Sequence, residues 1–312
     1  MSQILEKAPP SRPIDDLFLR ELRNTIDQRL ESLFRSGLHE TRLDCAIRHG
    51  LLSPGKRFRP IITLLACEQS GGSMKDALDG ACAVEMVHAA SLIMDDLPSM
   101  DDARLRRGSL ATHVVFGEGT SMLASISLMN EAYKIISAAD ELAAEKRLNA
   151  VDHLCWSIGP DGLSGGQERD IMCGRAAQST IDVSIGEMEE RHTEKTGALF
   201  AAAAAIGGEF ASASSETIAS LKDYGNSLGL AYQAFDDVVD SCCRAEDIGK
   251  DVSQDTDKAT VVSLLGEEGA RKSAKRWLDR AIAAAEKNSV MTPSPLAMLA
   301  VQVGEKFGSL TN

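Results

Sequence analysis

Two groups of aspartate residues, each at the end of an apolar stretch, have the types and spacing of a divalent-cation site. The first group consists of Asp95, Asp96, Asp101 and Asp102, and the second of Asp236, Asp237 and Asp240. Buried like charges are costly unless a cation neutralises them. Mg²⁺ prefers one or two carboxylates plus substrate phosphates over a cage made only of protein ligands. One such group alone could equally be a set of helix caps or solvent-exposed charges instead of a metal site. Two such groups together indicate a metal-bridged diphosphate.

Cationic residues near the first acidic group suit an anion. Lys56, Arg57 and Arg59 lie in a turn that opens an apolar stretch, and a helix N-terminus with nearby cations binds anions. A solvated turn is the alternative. His88 precedes Asp95 by seven residues, so on one helix the two lie on nearly the same face, about 10 Å apart. This alignment indicates a second anion site beside the metal site, although a lone histidine in an apolar helix is usually a core residue.

Further basic residues follow both acidic groups. Arg106 and Arg107 come directly after the first group, where they either compensate the aspartates or each bind a phosphate through a guanidinium. Lys195 and Thr196 lie in HTEKTGALF, and Lys250 follows the second acidic group. Each lysine alone would be interpreted as a solvent-exposed side chain, but together the basic residues could surround a diphosphate.

The segments that carry these residues are predicted to be helices. Leu19, Leu22, Ile26 and Leu30 repeat at helical spacing after Asp15, a suitable N-cap. Aromatic residues make up only 4% of the chain, and alternating β-branched runs do not occur. We therefore expect an all-α fold: a loose arm over residues 1–14, and a single all-helical domain of ten or more helices over residues 15–312.

Composition excludes several classes of function. The 312 residues carry a net charge of −13, which disfavours non-specific binding to nucleic acids or anionic membranes. The most apolar stretch, Ala198 to Ile206, is about half the length of a membrane span. We expect no stable membrane insertion and no signal peptide. Seven cysteines without a C-x-x-C pair suit a reducing compartment, and we expect a cytoplasmic protein.

The motifs resemble those of the all-α polyprenyl (isoprenyl diphosphate) synthase family. DDLPSMDDARLRRG looks like the first aspartate-rich motif and AYQAFDDVVD like the second, in the family's order with GKRFRP, EMVHAASLIMDD, GLSGGQERD, KTGALF and GKD…KAT. The resemblance covers Leu51 to Leu265. It implies a helical bundle around a central cavity, usually homodimeric. It also implies three Mg²⁺ ions per active site and condensation of isopentenyl diphosphate with an allylic diphosphate.

The same resemblance implies roles for individual residues. The implied magnesium ligands are Asp95, Asp101 and Asp236, with Asp96, Asp102, Asp237 and Asp240 as supporting groups. The residues implied to hold the allylic diphosphate are Arg106, Lys195 and Lys250, and those for isopentenyl diphosphate are Lys56, Arg59, His88 and Arg107. The residues implied to flank the developing cation are Lys195, Thr196 and Gln233. No dedicated protein base is required, because the departed diphosphate can accept the proton.

Product length depends on the residue five positions before the first aspartate. A bulky aromatic there stops growth at fifteen carbons in the family, and this chain has Ala90, next to Ala89. Small residues favour a twenty-carbon product, so geranylgeranyl diphosphate is expected, with farnesyl diphosphate as the alternative. Ser125, Ile126 and Ser127 stand where many relatives carry Gly-Asp-Ala, which affects the product tunnel rather than the diphosphate ligands.

Two other functions compete with this interpretation. A class I terpene cyclase shares the helical fold and an aspartate–magnesium cluster but takes only one diphosphate, so it does not explain the second set of cations. A non-catalytic subunit of a heteromeric synthase should tolerate loss of one aspartate motif, and both motifs are intact here. We expect an active prenyltransferase.

Overall fold

Helices provide almost all regular structure in the computed structural model, which describes residues 13–34, 40–176, 184–242 and 260–310. In chain order they are α1 (Asp16–Leu33), α2 (Arg42–Leu51), α3 (Phe58–Gln69), α4 (Leu78–Asp95), α5 (Thr112–Phe116), α6 (Glu118–Ser137), α7 (Ala144–Ile158), α8 (Leu163–Ala176), α9 (Ile185–His192), α10 (Ala198–Phe210), α11 (Ser215–Cys242), α12 (Val261–Glu286) and α13 (Pro295–Leu310). A π-helical turn, Thr193–Gly197, joins α9 to α10. The expected all-α class is confirmed. Residues 1–12 of the expected arm and Lys250 lie outside the described residues.

Helix α1 begins where its sequence signals indicate. The Asp15 side chain accepts a hydrogen bond from the Phe18 backbone N–H at 2.8 Å, as an N-cap does. Leu22, Ile26 and Leu30 are fully buried on one face of the helix. The apolar spacing therefore predicted both the element and the face that it buries.

Helix α10 is buried along its whole length and forms the centre of the bundle. Alanine and glycine let its neighbours approach closely. A Cβ at Gly207 would lie 2.2 Å from the Thr63 carbonyl oxygen of α3, and one at Gly225 of α11 would lie 2.4 Å from the Phe200 carbonyl oxygen. The small side chains thus fix the spacing of α3, α10 and α11.

Helix α4 carries the first acidic group out of this core. It packs against α1, α2, α3, α6 and α10 and is buried over most of its length. The helix ends at Asp95 with Asp96 as its C-cap, two residues before Pro98. Proline cannot continue a helix and disfavours helical backbone in the residue before it, so this boundary follows from the sequence.

A short hairpin after α4 was not predicted. Strand β1 (Leu105–Arg106) pairs antiparallel with β2 (Ser109–Leu110) across a two-residue turn. Arg107 and Gly108 both have positive φ, 54° and 77°, as a type I′ hairpin turn requires. Strands of two residues give no alternating pattern to detect, but the hairpin sets where Arg106 and Arg107 point.

None of the helices in the described ranges is long and apolar enough to cross a membrane. The cysteines with described side chains, Cys45, Cys67, Cys82 and Cys155, are free thiols. Cys67 and Cys82 are buried, and burial raises the pKa of both thiols, as expected for cysteines that pack in a core.

Candidate active site

The first acidic group folds back on the end of α4. The Asp101 backbone N–H donates to the Asp95 carbonyl oxygen at 2.9 Å, so the turn brings the two residues together as the spacing predicted. Burial raises the pKa of Asp95 to about 6, and the neighbouring carboxylates Asp101 and Asp96 act in the same direction. Lys195 is the main opposing charge. A cation at this position would relieve the cost of ionising Asp95.

Asp96 faces a different partner from Asp95. Its side chain is buried, and it accepts hydrogen bonds from Arg106 Nε at 2.8 Å and from Arg106 Nη2. Consecutive residues on a helix point about 100° apart, which explains why the two aspartates separate. The structure therefore engages Asp96 with Arg106 on the hairpin, while Asp102, whose φ is 48°, is exposed.

Helix α11 provides the second acidic wall. Gln233 Nε2 donates to Asp237 Oδ1 at 3.0 Å, and the Val261 backbone N–H donates to Asp237 Oδ2 at 2.8 Å. Asp237 therefore ties α11 to the start of α12. Thr196 Oγ1 donates to Gln233 Oε1 at 3.1 Å, which joins this wall to the π-helical turn. The side chain of Asp240 lies outside the described residues.

The π-helical turn holds Lys195 near the first acidic wall. Such turns occur frequently at functional sites. Lys195 Nζ donates to Asp170 Oδ2 of α8 at 2.6 Å, and the lysine also acts on Asp95. The sequence analysis did not assign Asp170 a role, although an acidic residue on the buried side of the GLSGGQERD segment was a usable signal. Of the residues predicted to flank the developing cation, the structure joins Thr196 and Gln233 by a hydrogen bond, and Lys195 precedes Thr196 on the same turn.

Three of the four residues predicted to bind isopentenyl diphosphate meet where α3, α4 and the hairpin come together. His88 Nε2 lies 3.3 Å from Arg59 Nη1 and 3.3 Å from Arg107 Nη2. Burial and the surrounding arginines lower the pKa of His88 well below its ordinary value, so the ring is neutral and Nε2 accepts from the guanidinium groups. The Arg107 guanidinium also packs on Gly55, where an added Cβ would lie 2.7 Å from Nη1 and would displace the guanidinium.

Arg59 retains unused hydrogen-bonding capacity in this group. Its buried Nε has no hydrogen-bond partner among the described residues, and its guanidinium stacks 4.4 Å from the centre of the Phe200 ring. Burial lowers its pKa to about 10. Lys56 is exposed and lies 3.4 Å from the Tyr232 hydroxyl. A buried donor within a group of cations is suited to an anionic ligand.

Arg57 differs from its neighbours in the same turn. It has φ of 49° and is 3% exposed, with Nη1 2.6 Å from Glu85 Oε1 and Nε 2.7 Å from Asp27 Oδ1. These ion pairs fix the turn that carries Lys56 and Arg59. Glu85, a single carboxylate in an apolar segment three residues before His88, was the signal that sequence analysis missed.

The two acidic walls border one region. Asp236 of α11 lies within electrostatic range of Arg59, and Arg59 contacts His88 on α4, the helix that ends at Asp95. No group of three or more acidic, histidine or cysteine side chains within the described parts of the chain is close enough to hold a metal ion alone. Mg²⁺ commonly takes part of its coordination from phosphate and water, so opposing carboxylates of this kind fit it.

This fold and site define a class: helical enzymes that hold a diphosphate between aspartate-bearing helices and cationic side chains. The model of the family described as "Polyprenyl synthetase" matches residues 40–293. The chain belongs to this family, whose members are metal-dependent prenyltransferases.

Known relatives support the assignment. The chain is 43% identical over 235 residues to geranylgeranyl pyrophosphate synthase 6, mitochondrial, of Arabidopsis thaliana, covering 74% of this chain and 70% of the relative. It is 38% identical over 272 residues to farnesyl diphosphate synthase of Bacillus subtilis, covering 84% and 90%. The apo crystal structure of an FPP/GFPP synthase from Zymomonas mobilis matches with a TM-score of 0.79 at 29% identity, covering 92% of this chain and 99% of that one.

Proposed function

We propose that this chain condenses isopentenyl diphosphate with an allylic diphosphate to form geranylgeranyl diphosphate. The observation that carries the proposal is that two regions along α4 each suit one diphosphate. His88 with Arg59 and Arg107 would bind one directly, and the acidic end of the helix at Asp95 would bind the other through Mg²⁺, about 10 Å away at 1.5 Å per residue. Two regions at this separation suit two diphosphate substrates, which a terpene cyclase does not need.

The allylic diphosphate is assigned to the acidic end of the site. Asp95, Asp101 and Asp236 would hold Mg²⁺, with three ions proposed per site. Bound Mg²⁺ supplies Lewis-acid stabilisation of the diphosphate leaving group. Lys195 and Arg106 are positioned by Asp170 and Asp96, so they would bind the diphosphate oxygens, together with Lys250.

Isopentenyl diphosphate is assigned to Lys56, Arg59, His88 and Arg107. Its terminal alkene carbon would bond to C1 of the allylic substrate as the C1–oxygen bond breaks, and a proton would then pass from C2 to the released diphosphate. The Thr196 hydroxyl and the Gln233 amide, already hydrogen bonded to each other, would orient the reacting carbons. The rings of Phe58, Phe200 and Tyr232 pack together beside Arg59, with 5.8–5.9 Å between their centroids. These rings would exclude water from the reacting carbons.

The small residues on α4 support the twenty-carbon product. Ala90 is fully buried, and Ser125 Oγ of α6 donates to its carbonyl oxygen at 2.9 Å. Ser125 therefore lies next to Ala90, the residue that we propose limits chain length. The farnesyl product remains the alternative, since relatives of both kinds share comparable identity with this chain.

Ala90→Tyr should shift the main product from twenty to fifteen carbons. The added ring would occupy space that the growing chain needs beyond the third isoprene unit. The measurement is product sizing by mass spectrometry after incubation with geranyl diphosphate, isopentenyl diphosphate and Mg²⁺, because a farnesyl primer already has fifteen carbons. Unchanged product lengths in a variant that keeps its wild-type circular dichroism spectrum would refute the role of Ala90.

The function itself is tested by incubating the purified chain with isopentenyl diphosphate, Mg²⁺ and each of dimethylallyl, geranyl and farnesyl diphosphate. We expect consumption of isopentenyl diphosphate and a twenty-carbon diphosphate. Release of a hydrocarbon without isopentenyl diphosphate would indicate a cyclase. A fifteen-carbon end product would indicate the farnesyl alternative, and no turnover would indicate a silent subunit.

We also infer a homodimer, supported by an exposed apolar face. On α6, Leu123 is 56% and Ile126 is 62% exposed, and α7, which packs against α6, exposes Leu148 and Trp156. Charge is depleted at the centre of protein interfaces, so Ile126→Asp should halve the mass measured by light scattering. Val290→Asp is the control, because it introduces the same charge at an exposed apolar residue outside α6 and α7. A wild-type chain that elutes as a monomer would contradict this proposal.

We further propose a reducing compartment, with the cytoplasm as the first candidate. The free thiols among the described cysteines support it. Fractionation of cells expressing the tagged full chain is the measurement that decides the compartment.

A further inference from the structure

Gln167 of α8 is a buried amide without partners. Its side chain belongs to a residue only 6% exposed, and neither Oε1 nor Nε2 has a hydrogen-bond partner in the described part of the chain. A buried polar group left without a partner costs about 1–3 kcal/mol. Neither end of this amide is satisfied by the protein, which indicates that something other than the protein binds it.

The position of α8 places this amide beside the candidate active site. Gly166 lies against the π-helical turn so closely that a Cβ there would be 2.5 Å from the Lys195 backbone nitrogen. Asp170, three residues after Gln167, binds Lys195 Nζ at 2.6 Å. Residues three apart on a helix are neighbours, with Cβ atoms about 5–6 Å apart. Gln167 is therefore one helical turn from the Asp170–Lys195 ion pair.

The exposure pattern along α8 supports the same orientation. Gly166, Gln167 and Asp170 are buried, while Glu168 and Arg169 between them are exposed. The amide thus belongs to the face of α8 that packs on the π-helical turn. A ligand bound at Lys195 from that side is within reach of a glutamine side chain.

We propose that Gln167 is a further binding residue for the diphosphate of the allylic substrate. Its NH₂ group donates to a phosphate oxygen, and its carbonyl oxygen accepts from a water molecule around the diphosphate. A neutral amide adds hydrogen bonds without changing the charge balance between Lys195 and Asp170. The inference rests on the proposed function, because it takes the allylic diphosphate to be the ligand at Lys195.

Gln69 shows what a structural buried glutamine looks like in this protein. It is 2% exposed, and its Oε1 accepts from Ser294 Oγ at 2.8 Å and from the Leu296 N–H at 3.3 Å. Its Nε2 donates to the Ala285 carbonyl oxygen at 3.4 Å. The oxygen of this amide holds the start of α13 and its nitrogen holds the end of α12, so Gln69 is a matched control.

The test compares Gln167→Leu with Gln69→Leu. Binding of inorganic pyrophosphate in MgCl₂ is measured by calorimetry, and thermal stability is measured without ligand. We expect Gln167→Leu to weaken pyrophosphate binding about 5- to 30-fold, with an unchanged or higher melting temperature, because it removes an unsatisfied amide. Gln69→Leu should lower the melting temperature and leave pyrophosphate binding unchanged. Gln167→Ala repeats the binding measurement if the leucine variant does not fold.

Wild-type pyrophosphate affinity in a folded Gln167 variant would overturn the inference. The same affinity with a loss of stability like that of Gln69→Leu would also overturn it and would assign Gln167 a structural role. Steady-state kinetics separate this inference from the proposed function. A wild-type chain that consumes isopentenyl diphosphate while the Gln167 variants bind pyrophosphate normally refutes only the role of Gln167. A wild-type chain that never consumes isopentenyl diphosphate refutes the proposed function.

Discussion

Asp95→Asn is expected to lower kcat/KM by about 10³-fold, the scale reached when a principal electrostatic contact to the reacting group is removed. The amide keeps the shape of the side chain but cannot neutralise a divalent cation. Magnesium titrations of activity should show a higher requirement in the variant. Asp152→Asn on the exposed surface of α7 removes the same charge elsewhere and should retain wild-type activity.

The same substitution should stabilise the protein in metal-free buffer. The pKa of Asp95 is about 6 in the folded chain against 3.8 for an unperturbed carboxyl. A raised pKa favours the protonated form, so the stability it contributes is present below pH 4 and is lost as the pH rises through 6. At pH 8 the wild type therefore carries an unfavourable ionised carboxylate that the variant lacks.

Chemical denaturation at the two pH values measures this effect. We expect a gain of about 1–2 kcal/mol in the unfolding free energy at pH 8 and about a third of that gain at pH 4.5, after allowing for partial solvent exposure of Asp95. Equal effects at both pH values would show that ionisation of Asp95 is not the cause. A variant that is less stable than the wild type at pH 8 would contradict the proposal that the ionised, buried Asp95 destabilises the fold.

Glu85→Ala is expected to produce the largest loss of stability, about 3–5 kcal/mol, because it leaves the buried Arg57 guanidinium without its inner partner. Glu85 is 1% exposed and Arg57 3%. Asp27 remains on the other side of the guanidinium but is partly exposed to solvent. Since Arg57 fixes the turn that carries Arg59, affinity for isopentenyl diphosphate should fall with stability.

A double-mutant cycle separates the charge pair from the lost packing. Glu85→Met with Arg57→Met should be less destabilising than the sum of the two single substitutions, because neither buried charge remains alone. As a control, Glu131→Ala removes a partner of Lys134 on the exposed side of α6 and should change the unfolding free energy by less than about 0.5 kcal/mol. Additive effects of the two methionine substitutions would argue against a coupled pair.

The sequence predicted the helices whose apolar spacing and end signals agree. α1 has a capping aspartate and a regular stripe, and α4 ends just before Pro98, so local preferences and burial favoured the same boundaries. The acidic groups and the cations around His88 could also be found from the sequence, because their charges lie within apolar segments. Spacing was enough to predict that Asp101 folds back on Asp95 at the end of α4.

Other features depend on side-chain direction, which spacing alone does not give. Lys56, Arg57 and Arg59 look equivalent in sequence, but the left-handed backbone of Arg57 turns its guanidinium inward to Glu85. Asp95 and Asp96 also diverge, and only the fold shows that Asp96 meets Arg106. The π-helical turn has no composition signal, since it differs from an α-helical turn only in the hydrogen bonds it makes.

The π-helical turn also gives the chain a place where its length can change. The segment from Ile185 to Phe210 is helical throughout, with one wider turn at Thr193–Gly197. The wider turn holds one residue more than an α-helical turn, because its hydrogen bonds span five residues instead of four. Loss of one residue there would let the segment close into an ordinary α-helix while α9 keeps nearly its present orientation relative to α10, so Met188 would stay buried. In a regular α-helix the same deletion would rotate all the preceding residues by about 100°.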